Sequence, residues 1–207
     1  MKTIKLLTTT FLIALTSTVF AQKMKLTDGS FNDMSGQSNV LVVYKYDDMN
    51  VGTGKREMKE SAYIERKKGE YNEKEAGRGD NWEKSWKGDR ESRFHGKFEA
   101  LFNKGIRKEG ITIGRDYNDA KYTLIVHTTM TEPGFSVPMI MTVPASINLN
   151  LQLVETGSGK VLGEATATGA PGNAFAGAAW DTGNRIQESY AKAGKTFAKW
   201  LQKKGMK

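Results

Sequence analysis

SINLNLQLV, residues 146–154, alternates without a break. Ile147, Leu149, Leu151 and Leu153 fall on one side, and Ser146, Asn148, Asn150 and Gln152 on the other. Successive side chains of a strand point to opposite faces, so the pattern predicts a strand with one buried and one wet side. A wet side points to a largely antiparallel sheet, because parallel sheets are covered on both faces. The TGSG that follows at 156–159 predicts a hairpin loop, and residues 160–168 its partner, with Glu164, Thr166 and Thr168 on the wetter face.

Other strands are weaker copies of this signal. NVLVVYKY at 39–46 is a compact β-branched and aromatic run, and residues 122–130 put Tyr122, Leu124, Val126 and Met130 inward. Residues 111–115 make a short strand. Residues 132–144 contain Pro133, Pro138 and Pro144; proline cannot donate to a ladder, so an irregular connection or an edge is expected.

Two stretches have helical periodicity. From 81 to 104, Trp82, Trp86, Phe94, Phe98, Leu101 and Phe102 recur at three- and four-residue steps, with Gly88 as a point of weakness. From 181 to about 203, a helix capped by Asp181 or Thr182 turns Ile186, Tyr190, Ala193, Phe197, Trp200 and Leu201 to one side. Residues 55–108 hold 27 charged side chains in 54, 16 basic and 11 acidic, so most of that stretch faces water. Within it a short helix fits 62–68 and a mobile loop 69–80. The expected fold is α+β: a two-layer sandwich, with a mostly antiparallel sheet of four to five strands and two long helices packed on one face. Residues 39–207 would form one domain with a charged insertion around 55–80, after a flexible lead-in at 22–38.

The amino end reads as an export signal. Lys2 and Lys5 precede an uncharged, mostly apolar run from Leu6 to Phe20, and Val19 and Ala21 are the small residues of a cleavage site before Gln22. The run of about 15 residues is short of the roughly 20 that a spanning helix needs. Removing residues 1–21 lowers the formal charge from +8 to +6, since two lysines leave. The chain has no cysteine, which excludes disulfides, thiolate zinc sites, a thiol nucleophile and acylation after the signal. A periplasmic or secreted protein is expected.

Catalytic signatures fail one by one. His95 and His127 make no helical metal pair. Around Asp47, Asp48 and Asn50 the calcium-loop spacing breaks, because Thr53 and Lys59 stand where Gly and a bidentate acid belong. Gly194-Lys195-Thr196 lacks the upstream Gly of a phosphate loop, Ser189 standing there, and Gly172/Gly177 is followed by Ala178 where Lys is required. No Ser sits in a nucleophile elbow. No cofactor and no metal are expected. Nucleic acid is not expected despite a pI near 9.5, because the basic residues of 55–108 are interleaved with acids.

Three features invite a binding role. Lys192, Lys195, Lys199 and Lys203, with Arg185, form a cationic stripe on the final helix, suited to an anionic partner. Trp82 and Trp86 would stack on sugars or on another subunit, or else pack into the core. The Gly/Ala-rich stretch 169–180, with Phe175 and Trp180, would lie over an anion site at a helix amino end, or simply connect.

NVLVVYKYDDM, RFHGKFEALFNKGI, DAKYTLIVHTTMTEPGF, INLNLQLVETGSGKVLGEATATGAPG and DTGNRIQESYAKAGKTFAKWL together resemble an uncharacterised family of exported proteins of Bacteroidetes-type bacteria, over nearly all of 39–201. The element order is also similar to small periplasmic α/β domains such as the amino-terminal domain of TolB and the lipoprotein LptE. That resemblance implies a sheet with two helices on one face and action by partner binding; it carries no functional residues over. The expectation is an exported, non-enzymatic protein that binds another envelope component, a protein or an anionic glycolipid or polysaccharide, in outer-membrane assembly or maintenance. The rivals are a small-ligand carrier or enzyme with a pocket under 169–180, and a protein that self-associates through 139–143 or an open sheet edge.

Overall fold

The computed structural model of the chain describes residues 22–137, 141–172 and 181–206. The expected export signal, most of the 169–180 stretch, and Met139 and Ile140 lie outside them. In chain order the strands are β1 (Lys23–Gly29), β2 (Asn39–Lys45), β3 (Asn50–Val51), β4 (Met58–Lys59), β5 (Thr112–Gly114), β6 (Tyr122–Glu132), β7 (Phe135–Val137), β8 (Met141–Val143), β9 (Ser146–Glu155) and β10 (Val161–Pro171). The helices are α1 (Glu60–Asn72), α2 (Arg78–Asp89), α3 (His95–Ile106) and α4 (Thr182–Trp200). A π turn at Arg90–Phe94 joins α2 to α3, and another at Leu201–Gly205 ends α4.

β9 behaves as its alternation demands: Ile147, Leu149, Leu151 and Leu153 are buried, and Asn150 is exposed. The main sheet runs β1-β10-β9-β6-β2-β5, with β3 extending β2's position beside the end of β6, and β4 beside β3. It has eight strands, more than the four to five expected, and it is mixed. β1, β10, β9 and β6 are antiparallel neighbours, whereas β2 is parallel to both β5 and β6, and β3 to β6. The reason is connectivity: β2 reaches β5 through the whole helical stretch, and such a crossover returns the chain in the same direction. β7 and β8 form a separate hairpin inside the proline-rich segment.

The stretch expected as a loose lead-in is structured. β1 lines the edge of the sheet, and Phe31 and Met34 behind it are fully buried. Phe31 packs edge-on against Phe197 and Trp200, and its N–H donates to Gly205 O at 3.1 Å. The expected loop at 69–80 is mostly helix, since α1 runs to Asn72 and α2 starts at Arg78. The expected break at Gly88 is replaced by the π turn two residues later. In β6 the register shifts between Thr128 and Met130, so Thr128 and Thr131, not Met130, are buried beyond that point.

α3 and α4 lie side by side on the sheet, running the same way. Arg93 meets Asp181 at their amino ends, and Glu109 meets Gln202 past their carboxyl ends. Two glycines set the separation. A Cβ at Gly194 would stand 2.4 Å from the Phe98 carbonyl oxygen, and one at Gly105 would stand 2.8 Å from Ala198 Cβ. Phe98, Phe102 and Phe197 fill the space beneath. Asp181 caps α4, accepting from Asn184 N at 3.2 Å.

Candidate functional site

The cationic stripe read from the sequence is on the surface. Lys192, Lys195, Lys199 and Lys203 are all exposed, because the opposite side of α4 carries Ile186, Tyr190, Ala193, Phe197 and Leu201 into the core. None of the four makes an ion pair among the described residues. α3 adds to them. A cleft of about 370 Å³ at the α3/α4 seam is lined by Leu101 from α3 and Glu188, Lys192 and Lys195 from α4, with Pro171 and Gly172 at its rim. Nearer the carboxyl ends, Lys104, Arg107 and Lys108 line a wide groove that Gln202 also borders. The acids on this face are Glu188, which approaches Lys97 at 4.0 Å, and Glu109. α4 therefore carries a row of lysines along its outer side, and further cations lie at and just past the carboxyl end of α3, where the helix dipoles also favour them.

Arg185 does not belong to that face. It is 4 % exposed, and its guanidinium donates to Pro133 O at 3.1 Å, Gly134 O at 3.3 Å and Thr182 Oγ1 at 2.9 Å. Burial holds it below the ordinary arginine range. It ties the β6–β7 turn to the start of α4. The tryptophans also turn inward. Trp86 is buried and donates from Nε1 to Glu60 Oε1 at 2.6 Å; half-buried Trp82 packs on Trp86, Tyr63 and Tyr71. They bind α1 to α2, the packing alternative to sugar stacking.

A polar cluster around the π turn has no counterpart in the sequence pattern. Tyr44 and Tyr46, at the end of β2, lie under His95: the Tyr44 ring stacks on the imidazole at 3.8 Å and 8°, and Tyr46 OH is 3.0 Å from His95 Nε2. Tyr46 also hydrogen-bonds Tyr190, whose OH lies 2.6 Å from Thr128 Oγ1. Arg90 sits over the Tyr46 ring at 4.1 Å and pairs with Glu60. Glu99 joins Tyr44 OH (3.3 Å) to Arg115 (2.9 Å). Burial is the main cause of every shift here. It raises Tyr44, Tyr46 and Glu99, pushes Tyr190 up to about 12, and lowers His95 to about 4, with Arg115 and Arg90 adding to the last. The cluster joins the end of β2 to the π turn and α4 and so serves as a pin between sheet and helices. Pattern reading misses it because its members come from strands and helices tens of residues apart.

Among the described residues no group of three or more His, Asp and Glu side chains is placed to hold a metal, and no helix is long and apolar enough to cross a membrane.

Fold and surface thus define a class only: a mixed-sheet domain with a helical layer on one face and a cationic exterior to that layer. No family model and no curated protein matches the chain. Among solved structures, a PelC dodecamer from Paraburkholderia phytofirmans is similar at a TM-score of 0.34 and 11% identity, over 83% of this chain and 96% of that one. Protein XCC0632 from Xanthomonas campestris, of DUF330, is similar at 0.38 and 11%, over 79% and 82%. These likenesses are too coarse to carry a family or a role.

Proposed function

We propose that the chain is an exported, non-enzymatic protein that binds an anionic component of the cell envelope, a phosphate- or carboxylate-bearing glycolipid or polysaccharide, through the outer face of α3 and α4. The observation that supports this reading is the set of exposed lysines Lys192, Lys195, Lys199 and Lys203, without an ion pair among the described residues, together with Lys104 on α3 and Arg107 and Lys108 in the turn just past it. A solvated helix back normally mixes signs at short range, and α1 and α2 do so, with ion pairs such as Lys68–Asp80 and Lys87–Glu83. On this face such pairing is nearly missing, which suits a partner that brings the negative charge.

Each lysine near an anionic surface contributes about 1 kcal/mol. Reversing Lys192, Lys195 and Lys199 to Glu therefore weakens binding to anionic glycolipid vesicles or to an immobilised acidic polysaccharide by on the order of a hundredfold or more. Unchanged binding of that variant, or no binding of the wild type at low salt, overturns the proposal.

A further inference from the structure

A second concavity lies away from the cationic helix face. It is a cleft of about 250 Å³ between the β3 end, α1 and the β6–β7 turn. Its floor and one wall are uncharged, from Val51, Gly52, Pro133 and Gly134, and its rim carries Arg56, Arg66 and Lys67. The single acid that lines it is Glu132, whose side chain is 7% exposed. Both oxygens of that carboxylate are already engaged: one accepts from Gly134 N at 3.1 Å, the other from Thr53 Oγ1 at 2.9 Å and Arg56 Nη2 at 3.4 Å. Glu132 thus pairs with and positions Arg56; Lys67 pairs with Glu70 at 2.8 Å, and the three cations lining the cleft still outnumber these two acids.

The two arginines are held ready. Arg56 lies 5.3 Å from the centre of the Phe135 ring and Arg66 5.5 Å from that of Tyr63, cation–π contacts that restrain a guanidinium while leaving N–H donors free. Arg66 also approaches Glu70, one turn on along α1, at 3.8 Å; that acid is held mainly by Lys67 at 2.8 Å. The wall is fixed from behind by Arg185, whose guanidinium holds the Pro133 and Gly134 carbonyls. Gly134 has a φ of +67°, and a Cβ there would meet Val143 O at 2.5 Å, so the turn has one available shape. A rigid wall, an uncharged floor and a pair of oriented guanidiniums are the parts of an oxyanion-binding pocket.

We infer that this cleft binds a small organic oxyanion, a carboxylate or phosphate on a body no larger than a monosaccharide, with Arg56 and Arg66 as the anion-holding residues. The site is independent of the α3/α4 face. Titration of the full chain with glucuronate, glucose 6-phosphate, inorganic phosphate and glucose, followed by calorimetry or amide NMR, tests it. A charged sugar binds with a dissociation constant on the order of 1 mM, as its size allows. Arg56→Gln/Arg66→Gln weakens it at least about tenfold, as the loss of two charge-assisted contacts requires. Phosphate against glucuronate tells which oxyanion is preferred, and either preference supports the site. The Lys192/Lys195/Lys199→Glu variant binds the sugar as the wild type does, which separates this pocket from the helical face. Both arginines are more than half exposed, so the double variant keeps its fold; Arg66→Gln alone stands in if its unfolding midpoint drops. Glucose binding as tightly as glucuronate, an unaffected double variant, or no binding of any charged probe at about 20 mM, a range that reaches even weak sites, overturns the inference.

Discussion

Protonation of His95 sets the acid stability of the fold. The ring is pushed down to about 4 by burial against Tyr44 and by Arg115 and Arg90, whereas an unfolded histidine titrates near 6.5. Between those values the unfolded chain holds a proton that the native state refuses. Stability is therefore complete above pH 6.5 and is lost as the pH falls toward 4. Integrating the two titrations from pH 7 to pH 5 gives a loss of about 2 kcal/mol. The ring is not fully buried, and solvent trims that to about 1–2 kcal/mol. Urea unfolding at the two pH values, followed by tryptophan fluorescence, measures it. The comparison is His95→Phe, which keeps a ring to stack on Tyr44, while the carboxylates that also titrate are common to both proteins and cancel. Wild type loses about 1–2 kcal/mol more than the variant over this interval. Equal losses, or an NMR titration of the His95 ring with a midpoint above 6, would refute the reasoning.

Two further predictions concern packing. Gly194→Ala forces a methyl to within 2.4 Å of the Phe98 carbonyl, all rigid backbone, so α3 and α4 must separate; the cost is about 1–3 kcal/mol, read as a lower urea midpoint with an unchanged slope. Arg185→Met fills the same volume but leaves the Pro133 and Gly134 carbonyls without their donor, and destabilises by about 1–3 kcal/mol; Arg185→Lys, a compact point charge, restores little of it.

What the sequence discloses is whatever one face of one element decides alone. β9 and α4 each bury one side and wet the other, and most of their large inward residues were legible from spacing, although Trp200 is only half-buried and the small or polar Ser189, Ala191, Gly194 and Ala198 are buried beside the apolar stripe. β1 was not. As an edge strand, KMKLTDG is exposed along nearly all of its length and so carries no alternation to read. α1 was read only as far as 68 for a related reason: Ile64 is its one buried residue, so the charged stretch beyond it looks like a loop. The parallel neighbours of β2 follow from a crossover that no local pattern reports. On the functional side, exposure of the lysine stripe follows from helix geometry. Arg185 sits one step from the apolar stripe, and its burial depends on two carbonyls some fifty residues earlier. Its cleft neighbours Arg56 and Arg66 were hidden in a charge-rich stretch where no single cation stands out.

The helical layer links these observations. At its amino end the π turn sets His95 over Tyr44, with Phe94 stacked on Tyr190, and Arg93 bridges Asp89 and Asp181, so that α3 and α4 are pinned to the sheet and to each other. Toward its carboxyl end Gly194 and Gly105 draw the helices into backbone contact. Between these two fixtures neither helix can slide or roll without breaking a buried hydrogen bond or opening a void. Lysine side chains remain flexible, but the backbone that carries them is set, so the spacing of charge across the two helices is fixed before any partner arrives. Binding on such a face loses less entropy than binding on a loop of equal charge. That asymmetry makes the exterior of this layer, more than the mixed-sign hairpin of α1 and α2, the place where an anionic surface would be met.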